Sequence, residues 1–367
     1  MPLLGNLRYF FSNPAVIITL VAFASSLINI FVLDGAPGFG LLLYMYGIVC
    51  FVIGFFVVSL CVPVRTIRVN ESPAVVSQYI LSIYWVLSFV SLVLSVYKIT
   101  YVGYYGDLGG IFLNLRYDYI VDGGSNYGAQ HLGLFALSLA YYYILKGNYK
   151  KAAVCSAIYL LAALAVAERT SIFFLFISIF YILYIRGNVG VRAAIFAFAA
   201  LIGLFVYIAV DSGRLRGDGV FDFVYDYIGY GITNLSIYAE GRGYEGCGKL
   251  VFGTIYSIFQ FDANECAKVE GLFTVQDRFN VYTYAIAPYL YGGWLGVSVV
   301  MLFVGAWYSL LWRMAINASN YFLCILAAYI YAVAMIFYAW QFNLTTYIYL
   351  AVILVPLFVR FKRVMAL

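Results

Sequence analysis

Residues 151–186 read KAAVCSAIYLLAALAVAERTSIFFLFISIFYILYIR, two apolar runs separated by Glu168-Arg169-Thr170-Ser171. As one helix, residues 152–185 would extend about 51 Å at 1.5 Å per residue, well beyond a hydrocarbon core about 30 Å thick. A single helix would also put Lys150 and Lys151 on the opposite side of a bilayer from Arg186 and Arg192. Two short helices turning at 168–171 remove both conflicts. Both arms are shorter than a full span, so the turn, with Glu168 and Arg169, is expected below the membrane surface. This reading sets the parity of every helix that follows.

Working outward, apolar runs of spanning length recur along the chain. Spans are expected near 15–33, 41–62, 75–97, 128–145, 152–167, 171–185, 193–210, 286–312, 321–340 and 344–359. The chain is 65% hydrophobic and only 10% charged, with a mean hydropathy of +0.95. Soluble domains carry roughly 25% charge, so most of this surface must face lipid. Residues 1–367 therefore read as a single integral membrane domain of the all-α polytopic class. Asn13-Pro14 reads as a helix cap followed by proline in the first turn, and residues 15–33 are too long for a cleavable signal core.

Charge orients this layout. With the N-terminus in the cytoplasm, 12 of the 21 Lys and Arg residues and one of the 16 acids fall on the cytoplasmic side. Nine cations and 15 acids fall outside. The positive-inside rule favours this orientation, with both termini cytoplasmic. The net +5 is then a topology signal, and it gives no reason to expect nucleic acid as a partner.

Two outer segments stand out, 98–127 and 211–285. The second far exceeds a common connection, and loops of such length usually carry function or structure of their own. Within it, residues 222–238 (DFVYDYIGYGITNLSIY) suit an interfacial or re-entrant helix. Cys50, Cys61, Cys155 and Cys324 fall in helices as small packing residues, whereas Cys247 and Cys266 share the long outer loop. In an oxidising compartment those two are expected to form a disulfide. One histidine in the chain gives no metal-site spacing, and no cofactor is called for. The 37 tyrosines read mainly as aromatic belts at the interfaces. Tyr101, Tyr104, Tyr105, Tyr117 and Tyr119 crowd one outer segment, where sugar stacking is the alternative.

The outer cations carry the candidate chemistry. Guanidinium groups remain charged and grip phosphate oxygens in bidentate fashion. Arg169, Arg214, Arg216 and Arg278 lie at or near helix ends, and Arg116 lies in the first outer segment. Ionisable groups at membrane depth usually face a cavity or a partner. The bland alternatives are a local Glu168–Arg169 pair for Arg169, and headgroup anchoring for Arg214 and Arg216. A transfer reaction also needs a base, and Glu168, Asp118, Asp222, Asp226, Asp277 and His131 are the candidates. His131, inside an apolar helix, is more often a packing residue.

Residues 279–296, FNVYTYAIAPYLYGGWLG, resemble the F-N-x-Y-T-x-x-x-x-Y-x-D-F-G-x-x-G signature of the Wzy-type O-antigen and capsule oligosaccharide repeat-unit polymerases. FGTIYSIF at 252–259, YIGYGITNLSIY at 227–238 and ERTS at 168–171 resemble further segments of that family. The likeness spans residues 165–312. The family's acid is lost, with Tyr291-Gly292-Gly293 in place of Asp-Phe-Gly. Gly293 and Gly296 are kept, and are expected to serve close helix contacts. The resemblance implies a GT-C-like glycosyltransferase of the bacterial inner membrane with a periplasmic site. Its substrates would be undecaprenyl-pyrophosphate-linked oligosaccharides. Arg169, Arg278, Arg214, Arg216, Glu168 and Asp222 would serve catalysis, and Arg116, Asp118, Asn280, Tyr282, Thr283 and His131 would bind substrate. A Wzz-type chain-length regulator is a possible partner in such systems. The rival readings are an O-antigen ligase and a lipid-linked oligosaccharide flippase.

Overall fold

Asn13 accepts a hydrogen bond from the Ala15 N–H at 2.9 Å, and Pro14 opens the first helix, as the cap reading expects. The computed structural model describes residues 9–32, 38–61, 76–120, 129–167, 169–190, 220–241, 283–316, 319–337, 341–342 and 345–359, with scattered positions from 199 to 210. Regular structure among the described residues is entirely helical. In chain order the helices are α1 (Pro14–Phe31), α2 (Phe39–Cys61), α3 (Gln78–Lys98) with a π-helical continuation Ile99–Tyr104, α4 (Ile111–Ile120), α5 (Ala129–Leu145) and α6 (Tyr149–Leu164). They continue as α7 (Arg169–Ile185), α8 (Val220–Gly241), α9 (Ile286–Ile316), α10 (Asn320–Ala334) and α11 (Thr345–Phe358). Four are long and apolar enough to cross a membrane: α1, α2, α3 with its continuation, and α9. Leu60, Leu295 and Phe303 on α2 and α9 are 85, 73 and 71% exposed, as lipid-facing side chains would be.

The chain forms two compact units, residues 1–68 with 218–317 and 329–345, and residues 69–217 with 318–328 and 346–367. In the first unit α2 and α9 are the main contact. Tyr46 bonds Ser298, and further along both helices Ser59 bonds Arg313, so the two helices run parallel. Glycine lets their backbones touch: a Cβ on Gly305 would lie 2.0 Å from the Phe51 carbonyl oxygen, and one on Gly54 2.1 Å from that of Leu302. Small residues at such seams are how lipid-embedded helices gain van der Waals contact. Helix α8 joins the same unit. Asn29 Nδ2 donates to the Gly229 carbonyl and to Thr233 Oγ1, and the Gly40 N–H donates to Ser236 Oγ. The expected interfacial helix at 222–238 is thus a 22-residue helix tied to α1 and α2.

In the second unit, α5 packs on α3, α6 follows α5 antiparallel through the Lys146-Gly147 turn, and α7 turns back on α6. The break between Leu164 and Arg169 bears out the two-helix reading of residues 152–185, but it comes earlier than the expected turn at 168–171, since Arg169, Thr170 and Ser171 already begin α7. Edge-on rings pair His131 with Tyr349, and Tyr142 lies against Phe358, so α5 and α11 run parallel.

Two expectations are corrected. The run at 321–340 is helical only to Ala334, because the Ile336 carbonyl accepts from the Tyr284 N–H at 2.8 Å rather than continuing the helix ladder. Cys61 is exposed at the end of α2, unlike the buried Cys50, Cys155 and Cys324. The expected span at 193–210 lies largely outside the described residues.

Candidate functional site

The polar end of the second unit begins with a stripe on α3. Ser88, Ser91, Ser95 and Lys98 follow at helical spacing, and all four are buried. Ser88 and Ser95 donate to carbonyls one turn back, and Ser91 Oγ donates to the Ala129 carbonyl at 2.8 Å. The stripe ends on Lys98, 1% exposed, whose Nζ lies 2.9 Å from Asp118 Oδ2 of α4. Desolvating an ammonium is costly without a counter-charge, so this pair fastens α4 to the end of α3. Between them runs the π-helical turn Ile99–Tyr104. Asn114 holds its far side, donating from Nδ2 to the Gly103 carbonyl and accepting from the Leu108 N–H, both at 2.8 Å. The outer segment 98–120 is thereby a structured cap.

This cap meets the α6–α7 connection. Phe112 of α4 packs against Ala163 and Ile172, which flank the α6–α7 break. Ala167 holds a left-handed φ of 51° there, a conformation most residues avoid. Arg169 is the first residue of α7, and two positions on Ser171 accepts from Gln130 Nε2 at 2.9 Å. Half-buried Arg116, Asp118 and the start of α7 are therefore brought to one end of this unit. Asp118 is tied to Lys98, which changes its role from substrate contact to anchor. His131 is exposed and packs edge-on against Tyr349 at 5.8 Å.

Along the exposed face of the same segment runs a ladder of tyrosines. Tyr97, Tyr101 and Tyr105 have ring centroids 4.6 and 6.3 Å apart, and Tyr104 meets Tyr105 edge-on. These four rings are 50–69% exposed.

In the first unit the stretch from Thr283 is deeply buried. Thr283 and Tyr284 are 0% exposed, and the Tyr284 hydroxyl donates to the Tyr44 carbonyl at 2.5 Å. Helix α9 is kinked at Gly292 and Gly293, and Gly293 adopts φ 60°, ψ −144°. A positive φ at this buried position favours glycine. At Gly296 a Cβ would fall 2.3 Å from the Pro288 carbonyl oxygen, a close approach within α9 across the kink and not the contact between helices that was expected. The turn before the kink is buried at Ile286, Ala287, Pro288 and Leu290, whereas at the kink Gly293 is buried, Gly292 is half-buried with open space beside it and Tyr291 is exposed. Asp222 occupies the first turn of α8. Glu168, Arg214, Arg216, Arg278, Asn280, Tyr282, Cys247 and Cys266 lie outside the described residues.

Lys98 was counted among the outer cations but not as the partner of Asp118, and Asn114 was missed from the sequence. The serine stripe running into Lys98 was a readable signal, while Asn114 carried none. No family model, curated protein or solved structure matches the chain.

Proposed function

We propose that this chain is an oligosaccharide repeat-unit polymerase of the bacterial inner membrane, joining undecaprenyl-pyrophosphate-linked units into O-antigen or capsule at the periplasmic face. The observation that supports the reading is the packing of the α4 cap, which carries Arg116, against the residues flanking the α6–α7 break, in a segment that also bears an exposed tyrosine ladder. Cations at such an end suit a pyrophosphate, and exposed tyrosine rings suit sugar faces. In the reaction the acceptor hydroxyl attacks the anomeric carbon of the donor glycan. The bond from that carbon to the pyrophosphate oxygen breaks, and its electron pair leaves with the pyrophosphate. The hydroxyl proton passes to a carboxylate, for which Glu168 and Asp222 are the candidates. Arg169, Arg278, Arg214 and Arg216 would stabilise the charge gathering on the leaving group.

A ten-span GT-C-like topology with cytoplasmic termini accompanies this reading. Parallel packing of α2 and α9 supports an odd number of crossings between them. Helices α3, α5, α6 and α7 would supply an even number, so one more crossing is needed before α9. The parallel pair α5 and α11 asks for the same extra crossing. Residues 193–210 are its natural source.

Arg169→Ala and Arg278→Ala, expressed in a deletion strain, should abolish long glycan ladders while leaving membrane insertion intact. Lipopolysaccharide capped by a single repeat is the expected phenotype. An uncapped core would point to a ligase, and lipid-linked units stranded on the cytoplasmic leaflet to a flippase. Normal ladders in both variants would remove the active-site assignment. A Wzz-type regulator, if present, would alter ladder length without being required for polymerisation.

A further inference from the structure

We propose that Arg313 and Ser59, at the shared end of α2 and α9, bind the phosphate of an anionic phospholipid. Arg313 lies in the last turn of α9 and is 7% exposed. Its Nη2 donates to Ser59 Oγ at 3.0 Å, while Nη1 is buried without a hydrogen-bond partner. Ser309, one turn back on α9, is 0% exposed, and its Oγ also has no partner. Among the described residues no carboxylate pairs with Arg313. A guanidinium cannot escape this by losing its proton. A buried cation left uncompensated is strongly unfavourable, and among the described residues nothing compensates this one, which leaves room for an acceptor from the surroundings.

The position says what supplies it. Parallel α2 and α9 reach the same membrane level at Cys61 and Ile316, so the guanidinium sits at headgroup depth. Ser59 is half-buried, and beside it on α2 Phe56, Val57 and Leu60 are 52, 53 and 85% exposed. That edge faces lipid, and a headgroup phosphate can enter past Ser59. Phosphate accepts parallel bonds from a guanidinium fork, here from Nη1 and from the second N–H of Nη2, whose first N–H goes to Ser59. Basic positions between helix ends are known sites for anionic lipid heads. This assignment is independent of the polymerase reading.

The test uses the full chain in nanodiscs of phosphatidylcholine containing graded phosphatidylglycerol, with retained lipid counted by native mass spectrometry. Wild type should retain phosphatidylglycerol in preference to phosphatidylcholine. Arg313→Gln should weaken retention about tenfold and Ser59→Ala about threefold, with Arg313→Lys between them. Helical content by circular dichroism identifies any variant that has failed to fold. The wild-type preference decides the question without variants: equal retention of the two lipids overturns the proposal. Inorganic phosphate binding to wild type in phosphatidylcholine discs as tightly as phosphatidylglycerol would mark a soluble-anion site and also overturn it.

Discussion

Lys98 and Arg313 both sit near the C-terminal ends of long apolar helices, and both are buried, 1% and 7% exposed. They are compensated in opposite ways. Lys98 has a carboxylate from its own chain, twenty positions on, and the ion pair becomes the fastening of the α4 cap. Arg313 has a serine hydroxyl and one free nitrogen. A buried charge always needs a counter-charge, and the two sites differ in whether the fold or the surroundings supply it. An internal partner makes structure, whereas an absent one leaves a binding opportunity.

The sharpest way to break this contrast is Asp118→Leu, which leaves Lys98 in the position of Arg313 but with no phosphate at hand. It should cost about 3 kcal/mol, the lower end for a broken buried pair because Asp118 is 23% exposed. Lys98→Met combined with Asp118→Leu should recover most of that in denaturant unfolding in detergent. No recovery would mean the pair is not what holds α4. Next, Gly305→Ala forces a Cβ against the Phe51 carbonyl and should destabilise the α2–α9 seam by about 2 kcal/mol. It should also lower phosphatidylglycerol retention, since it separates Ser59 from Arg313; unchanged retention would detach the lipid site from the seam. Asn114→Ala removes two bonds to backbone and should cost about 1.5 kcal/mol. Hydrogen exchange should then quicken at residues 103–108 while α3 remains protected. Smallest is Ser59→Ala, at about 1 kcal/mol, measured by thermal unfolding in detergent without added lipid. An effect near that of Asp118→Leu would show that Ser59, and not an outside phosphate, is the main compensation for Arg313.

Much of the helical layout was legible. The Asn13-Pro14 start, the existence of a break within 152–185, though not its position, and the bounds of α2 follow from capping, charge placement and the length of an apolar run. The candidate site was legible only in part. ERTS marked the neighbourhood of the α6–α7 break, although its last three residues begin α7, and the tyrosines of 101–105 marked the ladder. Asp118 was visible as an acid but not as the partner of Lys98, because a π-helical turn and an intervening bend decide which residue meets the end of α3. The stop of α10 at Ala334 was illegible for a similar reason: the Ile336 carbonyl is taken by Tyr284, 52 positions away.

The sequence by itself determined that the chain is helical and needs lipid as its solvent, since one charged residue in ten cannot cover a soluble surface. It also determined which ends of the expected spans carry the cations. Only the tertiary structure decided which buried charge is paired, which glycine turns the chain and which lets backbones touch. Those outcomes depend on residues far apart in sequence meeting within a few ångströms, and local pattern does not encode that meeting. Lys98, a cation at the end of an apolar run, became an anchor on meeting Asp118, whereas Arg313 meets no acid among the described residues.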